Sequence, residues 1–201
     1  MKHYAPILTA ACILLAGCTK PALPTGQANP DPETLMTNPL FVERYAEELV
    51  NSMAELKIQN DPILEERGKE AVIDATRVFW MERTKEARRQ QFEGRSGVFL
   101  PAKEFARGEV LFLDGTIFFD TLFEVIPGPE LHVYFTTVVD PRDIEFPDET
   151  AIDLGIIQSA YGAQSYTVPA LENPVQYRTV VLWDAQLERV YGFAQISARQ
   201  E

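Results

Sequence analysis

Chemistry at a protein site usually needs an imidazole, a thiol or converging carboxylates, and this chain of 201 residues has only two histidines and two cysteines. His3 lies in an apolar leader, so any Ser-His-Asp triad or multi-histidine metal site would have to run through His132 alone. His132 falls in a run of alternating residues, 131–139, that reads as a strand covered on both faces. A hydrogen-bonded histidine is the expectation there. Haem ligation by His132, with Met36, Met53 or Met81 as a distant partner, is the metal-centred alternative. The sequence carries no Gly-x-Ser-x-Gly elbow, no P-loop and no dinucleotide fingerprint.

Carboxylates cluster once. Residues 140–153 hold Asp140, Asp143, Glu145, Asp148, Glu149 and Asp153, and Pro141 and Pro147 forbid regular structure among them. Calcium takes six to eight hard oxygens, which makes Asp140, Asp143, Glu145 and Asp148 the metal candidates. The glycine and spacing of an EF-hand loop are absent, so a solvated acidic loop with no metal is the expectation. The whole chain is acidic as well, with 18 basic and 30 acidic residues. Such a charge disfavours nucleic acid and anionic lipid headgroups as direct partners.

The cysteines belong to the N-terminus. A basic start, an apolar run too short to span a bilayer and the sequence Leu14-Leu15-Ala16-Gly17-Cys18 make residues 1–17 a lipoprotein signal peptide. Cys12 leaves with it, and Cys18 is expected to carry the lipid, palmitate-type chains included. One acyl chain binds a membrane only marginally, whereas two or three hold a protein effectively permanently. Thr19 is not an aspartate resembling the inner-membrane retention signal. In a two-membrane bacterium the expected location is therefore the outer membrane, facing the periplasm. No thiol or disulfide then remains in the folded part, whose stability has to come from its core. Residues 18–37 follow as anchor and tether, with Pro21, Pro24, Pro30 and Pro32 and no apolar periodicity.

Residues 38–92 predict a helical hairpin. Asn38-Pro39 and Asp61-Pro62 are two helix starts. Val42, Tyr45 or Ala46, Leu49, Met53 and Leu56 make one stripe, and Leu64, Gly68, Ala71, Val72, Ala75, Val78 and Phe79 make another. Trp80 and Met81 broaden the second, which is read as core that packs on the next domain or on a second copy. From residue 94 to 198 the period becomes two and turns recur about every ten residues, the pattern of an antiparallel β-sandwich or barrel-like domain. Its strands are expected at 97–100, 108–113, 116–123, 131–139, 154–157, 164–168, 177–183 and 190–196. Asp114-Gly115 should form a type I′ hairpin turn.

Gly97-Val98-Phe99, Gly108-Glu109-Val110 and the run Pro127-Gly128-Pro129-Glu130-Leu131-His132-Val133-Tyr134-Phe135 come in a recognisable order. Leu154-Gly155, the run Tyr161-Gly162-Ala163-Gln164-Ser165-Tyr166-Thr167-Val168-Pro169, Val180-Val181-Leu182-Trp183 and Tyr191-Gly192-Phe193-Ala194 follow them. Together they resemble the DM-thirteen domain family, described as an electron-transfer domain associated with DOMON domains. The resemblance covers residues 94–196. It implies a redox cysteine directly after the tryptophan ending the penultimate strand, and this chain has Asp184 after Trp183. A carboxylate is neither a thiolate nucleophile nor a sulfur ligand. Asp184, at a strand end, is expected to be ionised, reachable by water and replaceable at a cost within about 0.5 kcal/mol.

His132, Tyr134 and Trp183 are thus the candidate site, with no catalytic residue assigned. The expected function is a non-catalytic binding or interaction module of the cell envelope, anchored through Cys18, engaging an envelope protein or a small ligand. Oligomerisation through the hairpin is open, and no cofactor is expected. The alternative is an electron-transfer component with a bound prosthetic group in place of the missing cysteine.

Overall fold

A computed structural model describes residues 31–198; the leader, Cys18 and most of the tether lie outside the described residues. One helical turn, α1 (Pro32–Leu35), falls within the stretch expected to be irregular. Helix α2 (Pro39–Ile58) starts as its sequence dictates. Asn38 accepts hydrogen bonds from the Leu40 and Phe41 N–H groups, and Pro39, lacking an N–H, fills the first position. Asp61-Pro62 starts only a 3₁₀ turn, Pro62–Glu65. The long helix α3 (Lys69–Glu93) begins after Gly68, whose positive φ of 83° reverses the chain.

The second stripe faces the opposite way from the expectation. Val72, Val78, Phe79 and Met81 are exposed, Val78 at 63% and Phe79 at 57%. Helix α3 instead buries Ile73, Thr84, Ala87 and Gln91. Polar contacts fix this choice: Gln91 Nε2 donates to the Pro39 carbonyl (3.2 Å) and to a Glu43 carboxylate oxygen (2.6 Å). Arg88 pairs with Glu43 and Glu47, and Lys57 reaches Asp74 at 2.7 Å. No helix among the described residues is long and apolar enough to cross a membrane.

Twelve short strands follow: β1 (Arg95–Val98), β2 (Leu100–Pro101), β3 (Ala106–Arg107), β4 (Glu109–Leu113), β5 (Thr116–Phe119), β6 (Glu124–Val125), β7 (Leu131–Thr136), β8 (Ile152–Ile156), β9 (Gln164–Thr167), β10 (Thr179–Asp184), β11 (Arg189–Gln195) and β12 (Ser197–Ala198). They form two open antiparallel sheets, ordered β12-β1-β4-β5-β9 and β2-β11-β10-β7-β8, with a small β3-β6 ladder beside them. The domain is thus a sandwich and not a closed barrel. Asp114 and Gly115 both have positive φ, 47° and 74°, as the hairpin between β4 and β5 requires. The expected opening strand is divided: its first part joins one sheet, Leu100 and Pro101 join the other, and the buried Phe99 lies between them.

Between the sheets lie Phe99, Phe119, Phe123, Val133, Phe135, Val180, Leu182 and Ala194. The end of the hairpin touches the outside of the first sheet, where Leu40 packs on Leu111 and Phe118. There Asn38 Nδ2 donates to the Phe119 carbonyl at 2.8 Å. One residue thereby caps α2 and ties it to β5.

Candidate functional site

The outer face of the second sheet carries the site. In β7 the inward residues Leu131, Val133 and Phe135 are fully buried, so alternation turns His132 and Tyr134 outward. On the neighbouring β10, Trp183 pairs with His132 and Val181 with Tyr134. The structure therefore brings together the three residues the sequence singled out. It adds one that the sequence missed, Phe146, the buried aromatic residue of the acidic loop. The Phe146 ring lies 5.5 Å from Tyr134 and 5.5 Å from Trp183, so the rings of His132, Tyr134, Phe146 and Trp183 form a continuous row. Ile144 and Phe146, the bulky apolar side chains among the acids, were the available signal.

At one end of the row stands an imidazole–carboxylate pair. His132 Nδ1 lies 2.9 and 3.0 Å from the two Asp153 oxygens, and Asp153 also accepts from the Gly155 N–H. Asp153 belongs to β8, not to the loop, and is opposite Tyr134 in the strand register. His132 Nε2 is buried without a hydrogen-bond partner, and a Glu130 oxygen stands 3.8 Å away. Burial, then the neighbouring Asp153 charge and a hydrogen bond to it, holds the Tyr134 phenol above its ordinary range.

At the other end the row opens into a cleft of about 710 Å³. Trp183, Phe146 and Val190 supply apolar surface, and Lys103, Arg142, Arg189, Glu145 and Glu188 bring charges of both signs. Arg142 is held over the Phe193 ring, 4.9 Å from its centre, and pairs with Asp140 at 2.6 Å. Arg189 pairs with Glu104 at 3.0 Å. Trp183 is 9% exposed, and it lines this cleft.

The carboxylates of the loop are engaged locally. Asp148 accepts from the Thr136 hydroxyl (2.7 Å) and from the Thr150 N–H and hydroxyl, an arrangement that pins the loop to the end of β7. Asp140 is taken by Arg142. Among the described residues no three His, Cys, Asp or Glu side chains are grouped to hold a metal, so Asp140, Asp143, Glu145 and Asp148 are not brought together as a calcium site. Of the methionines named as distant partners for a haem on His132, Met36 follows α1, Met53 lies in α2 and Met81 in α3, whereas His132 is in β7 of the second sheet.

Asp184 departs most from expectation. It is the last residue of β10, alternation turns it inward, and its exposure is 0%. Oδ2 accepts from the Glu130 N–H at 3.1 Å, and Oδ1 accepts from the Gln186 and Leu187 N–H groups at 3.0 and 2.9 Å. The carboxylate thus joins the 127–130 turn to the turn after β10. A Cβ on Gly128 would collide with Asp184 Oδ2 and the Tyr191 hydroxyl, so glycine is required there by close approach.

Fold and site define an antiparallel β-sandwich with an aromatic-floored surface cleft, approached on its other side by a helical hairpin. The family model described as Electron transfer DM13 matches residues 100–196, which makes the C-terminal half of the chain DM13-like. The match includes His132, Tyr134, Phe146, Trp183 and Asp184 and leaves out α1, α2, α3, β1 and β12. Comparison with curated proteins and with solved structures gave no match.

Proposed function

We propose that this chain is a lipid-anchored binding module of the bacterial cell envelope, held at the membrane by Cys18 and taking its partner or ligand at the cleft beside Trp183. The observation that carries this reading is the cleft itself. A recess of about 710 Å³ falls within the range of ligand sites, and its walls combine apolar rings with charged groups at the mouth. Aromatic and arginine side chains are also the types that dominate binding energy at interfaces. A photo-crosslinking residue in place of Ile144, at the cleft, should give a specific adduct in intact cells. The same residue in place of Asp114, in the β4–β5 turn, should not. Equal labelling from both positions, or none from Ile144, would sink the reading.

A second reading, an electron-transfer component, is favoured by the family match over residues 100–196 and by the row from Tyr134 to Trp183. In its first form a prosthetic group replaces the cysteine. A visible absorption band in protein purified from its native envelope would support that form, and a colourless, metal-free preparation would count against it.

A further inference from the structure

We infer that Tyr134, Phe146 and Trp183 form a one-electron path through the chain's own side chains, with Asp153 as the proton acceptor for Tyr134 and the cleft as the docking place of the oxidant. The inference rests on the electron-transfer reading and removes its need for a thiol or a resident cofactor. The oxidant is a one-electron acceptor of high potential, presented at the cleft mouth.

The geometry supplies each part. Trp183 is a readily oxidised side chain and faces the cleft, so an acceptor seated there meets the indole first. The Phe146 ring, which also lines the cleft, is 5.5 Å from Trp183, and Tyr134 is 5.5 Å from Phe146 on its other side. A tyrosine gives up an electron easily only when its proton has somewhere to go. Asp153 stands opposite Tyr134 across the β7–β8 ladder and is already fixed by His132 Nδ1 and the Gly155 N–H. Its side chain is 42% exposed, so a proton accepted there can pass on to water.

Among the described residues neither of the two buried tyrosines, Tyr166 and Tyr191, has this arrangement. The Tyr166 hydroxyl donates to the amide oxygen of Gln164 at 2.6 Å, which takes up no proton. Tyr191 lies close to Asp184, but three backbone N–H groups already occupy that carboxylate.

The steps balance. The acceptor takes one electron from Trp183 and leaves an indole radical cation. Tyr134 then gives one electron to Trp183 across Phe146 and its phenolic proton to the Asp153 carboxylate. The net change is one electron on the acceptor, a neutral tyrosyl radical at Tyr134 and a carboxylic acid at Asp153. One electron from a reductant and the proton returned by Asp153 restore the phenol and the carboxylate.

The test uses the full lipidated chain with Lys103→Cys, at the cleft rim, labelled with a ruthenium polypyridyl photo-oxidant. A flash in the presence of a quencher should produce a tryptophan radical that decays into a tyrosyl radical. Tyr134→Phe should leave the tryptophan radical long-lived, and Trp183→Phe should abolish the tyrosyl signal. Asp153→Asn should slow the transfer about a hundredfold, the lower end of what a positioned base contributes, and the wild-type step should be slower in heavy water. The same label at Asp114→Cys should give no tyrosyl radical at Tyr134. An undiminished tyrosyl signal in Tyr134→Phe overturns this path while leaving electron transfer by another route. Failure to oxidise Trp183 from the cleft overturns the path and the cofactor-free form of the electron-transfer reading, whereas its prosthetic-group form stands or falls on the absorption band.

Discussion

Replacing Asp184 tests how the position is used in this chain. Asp184→Ala leaves three backbone N–H groups without their acceptor, those of Glu130, Gln186 and Leu187. A hydrogen bond to a charged group contributes about 1.5–3 kcal/mol, and an unmet buried donor costs about 1–3. Gln186 and Leu187 are exposed residues whose N–H groups water can reach once the carboxylate is gone, so the three losses do not add fully. The predicted loss is about 4 kcal/mol, a fall in Tm of roughly 8–16 °C for a chain of this size. Asp184→Asn can keep one oxygen on the Gln186 and Leu187 pair but turns an NH₂ toward the Glu130 N–H, for a loss of about 2 kcal/mol. Asp184→Cys, with a weak acceptor, should fall between them at about 3 kcal/mol. Its thiol should stay unreactive to an aromatic disulfide reagent until the 127–130 turn opens. Urea unfolding of the full chain, followed by far-UV circular dichroism, measures the series. A cost for Asp184→Ala within about 0.5 kcal/mol would refute the reasoning, because surface substitutions lie in that range.

Three further outcomes are expected. Asn38→Ala removes both a helix cap and the hydrogen bond to Phe119, so unfolding should show a loss of about 1–2 kcal/mol; no change would mean the hairpin is not coupled to the sandwich. A fragment from Glu93 to Glu201 bares Leu111 and Phe118 and should melt below the full chain, and an unchanged Tm would disprove that coupling. Burial pushes the Asp148 carboxyl up, but hydrogen bonds from Thr150 and Thr136 outweigh it and hold the group below its ordinary range. A depressed carboxyl stabilises the folded state above its unfolded pKa and loses that contribution as pH falls through the folded one. Acid should therefore loosen the 140–150 loop over the cleft, seen as a change in Trp183 fluorescence in a Trp80→Phe background, and Asp148→Asn should reduce the pH dependence to the part that Asp140, lowered by its hydrogen bond with Arg142, still carries.

Much of the sandwich is legible in the sequence because its physics is local. Alternation in residues 131–135 needs only the two-residue period of a strand, and Asp114-Gly115 names its turn through backbone sterics. The candidate site is legible in part for the same reason, since alternation puts His132 and Tyr134 on one face. The rest depends on register. Trp183 reaches His132 only through the β7–β10 pairing, and Asp153 reaches both His132 and Tyr134 only because β8 returns beside β7. No local pattern fixes where a strand twenty or fifty residues away will pair. Asp184 was misplaced by a single residue of strand end, and with a period of two one residue decides between solvent and core.

The helical hairpin shows where apolar periodicity gives way to a stronger constraint. Ala71, Val72, Ala75, Val78 and Phe79 make the cleaner stripe, yet helix α3 buries the face that holds Thr84 and Gln91. Gln91 is almost fully buried and donates to both the Pro39 carbonyl and Glu43, close to Asn38, which reaches Phe119. Those contacts set the rotation of α3 at its C-terminal end, beside the sandwich, and a rigid helix carries that rotation along its length. With 3.6 residues per turn, turning Gln91 inward also turns Thr84 and Ile73 inward, and Val72 and Phe79 are left facing out. A partner-specifying polar group at one end thus outweighs several apolar side chains at the other. Gln91→Leu would keep the volume and lose both hydrogen bonds. If the rotation is set there, that substitution should raise the accessibility of Thr84 and lower that of Phe79, as read by hydroxyl-radical footprinting, and an unchanged footprint would place the determinant elsewhere.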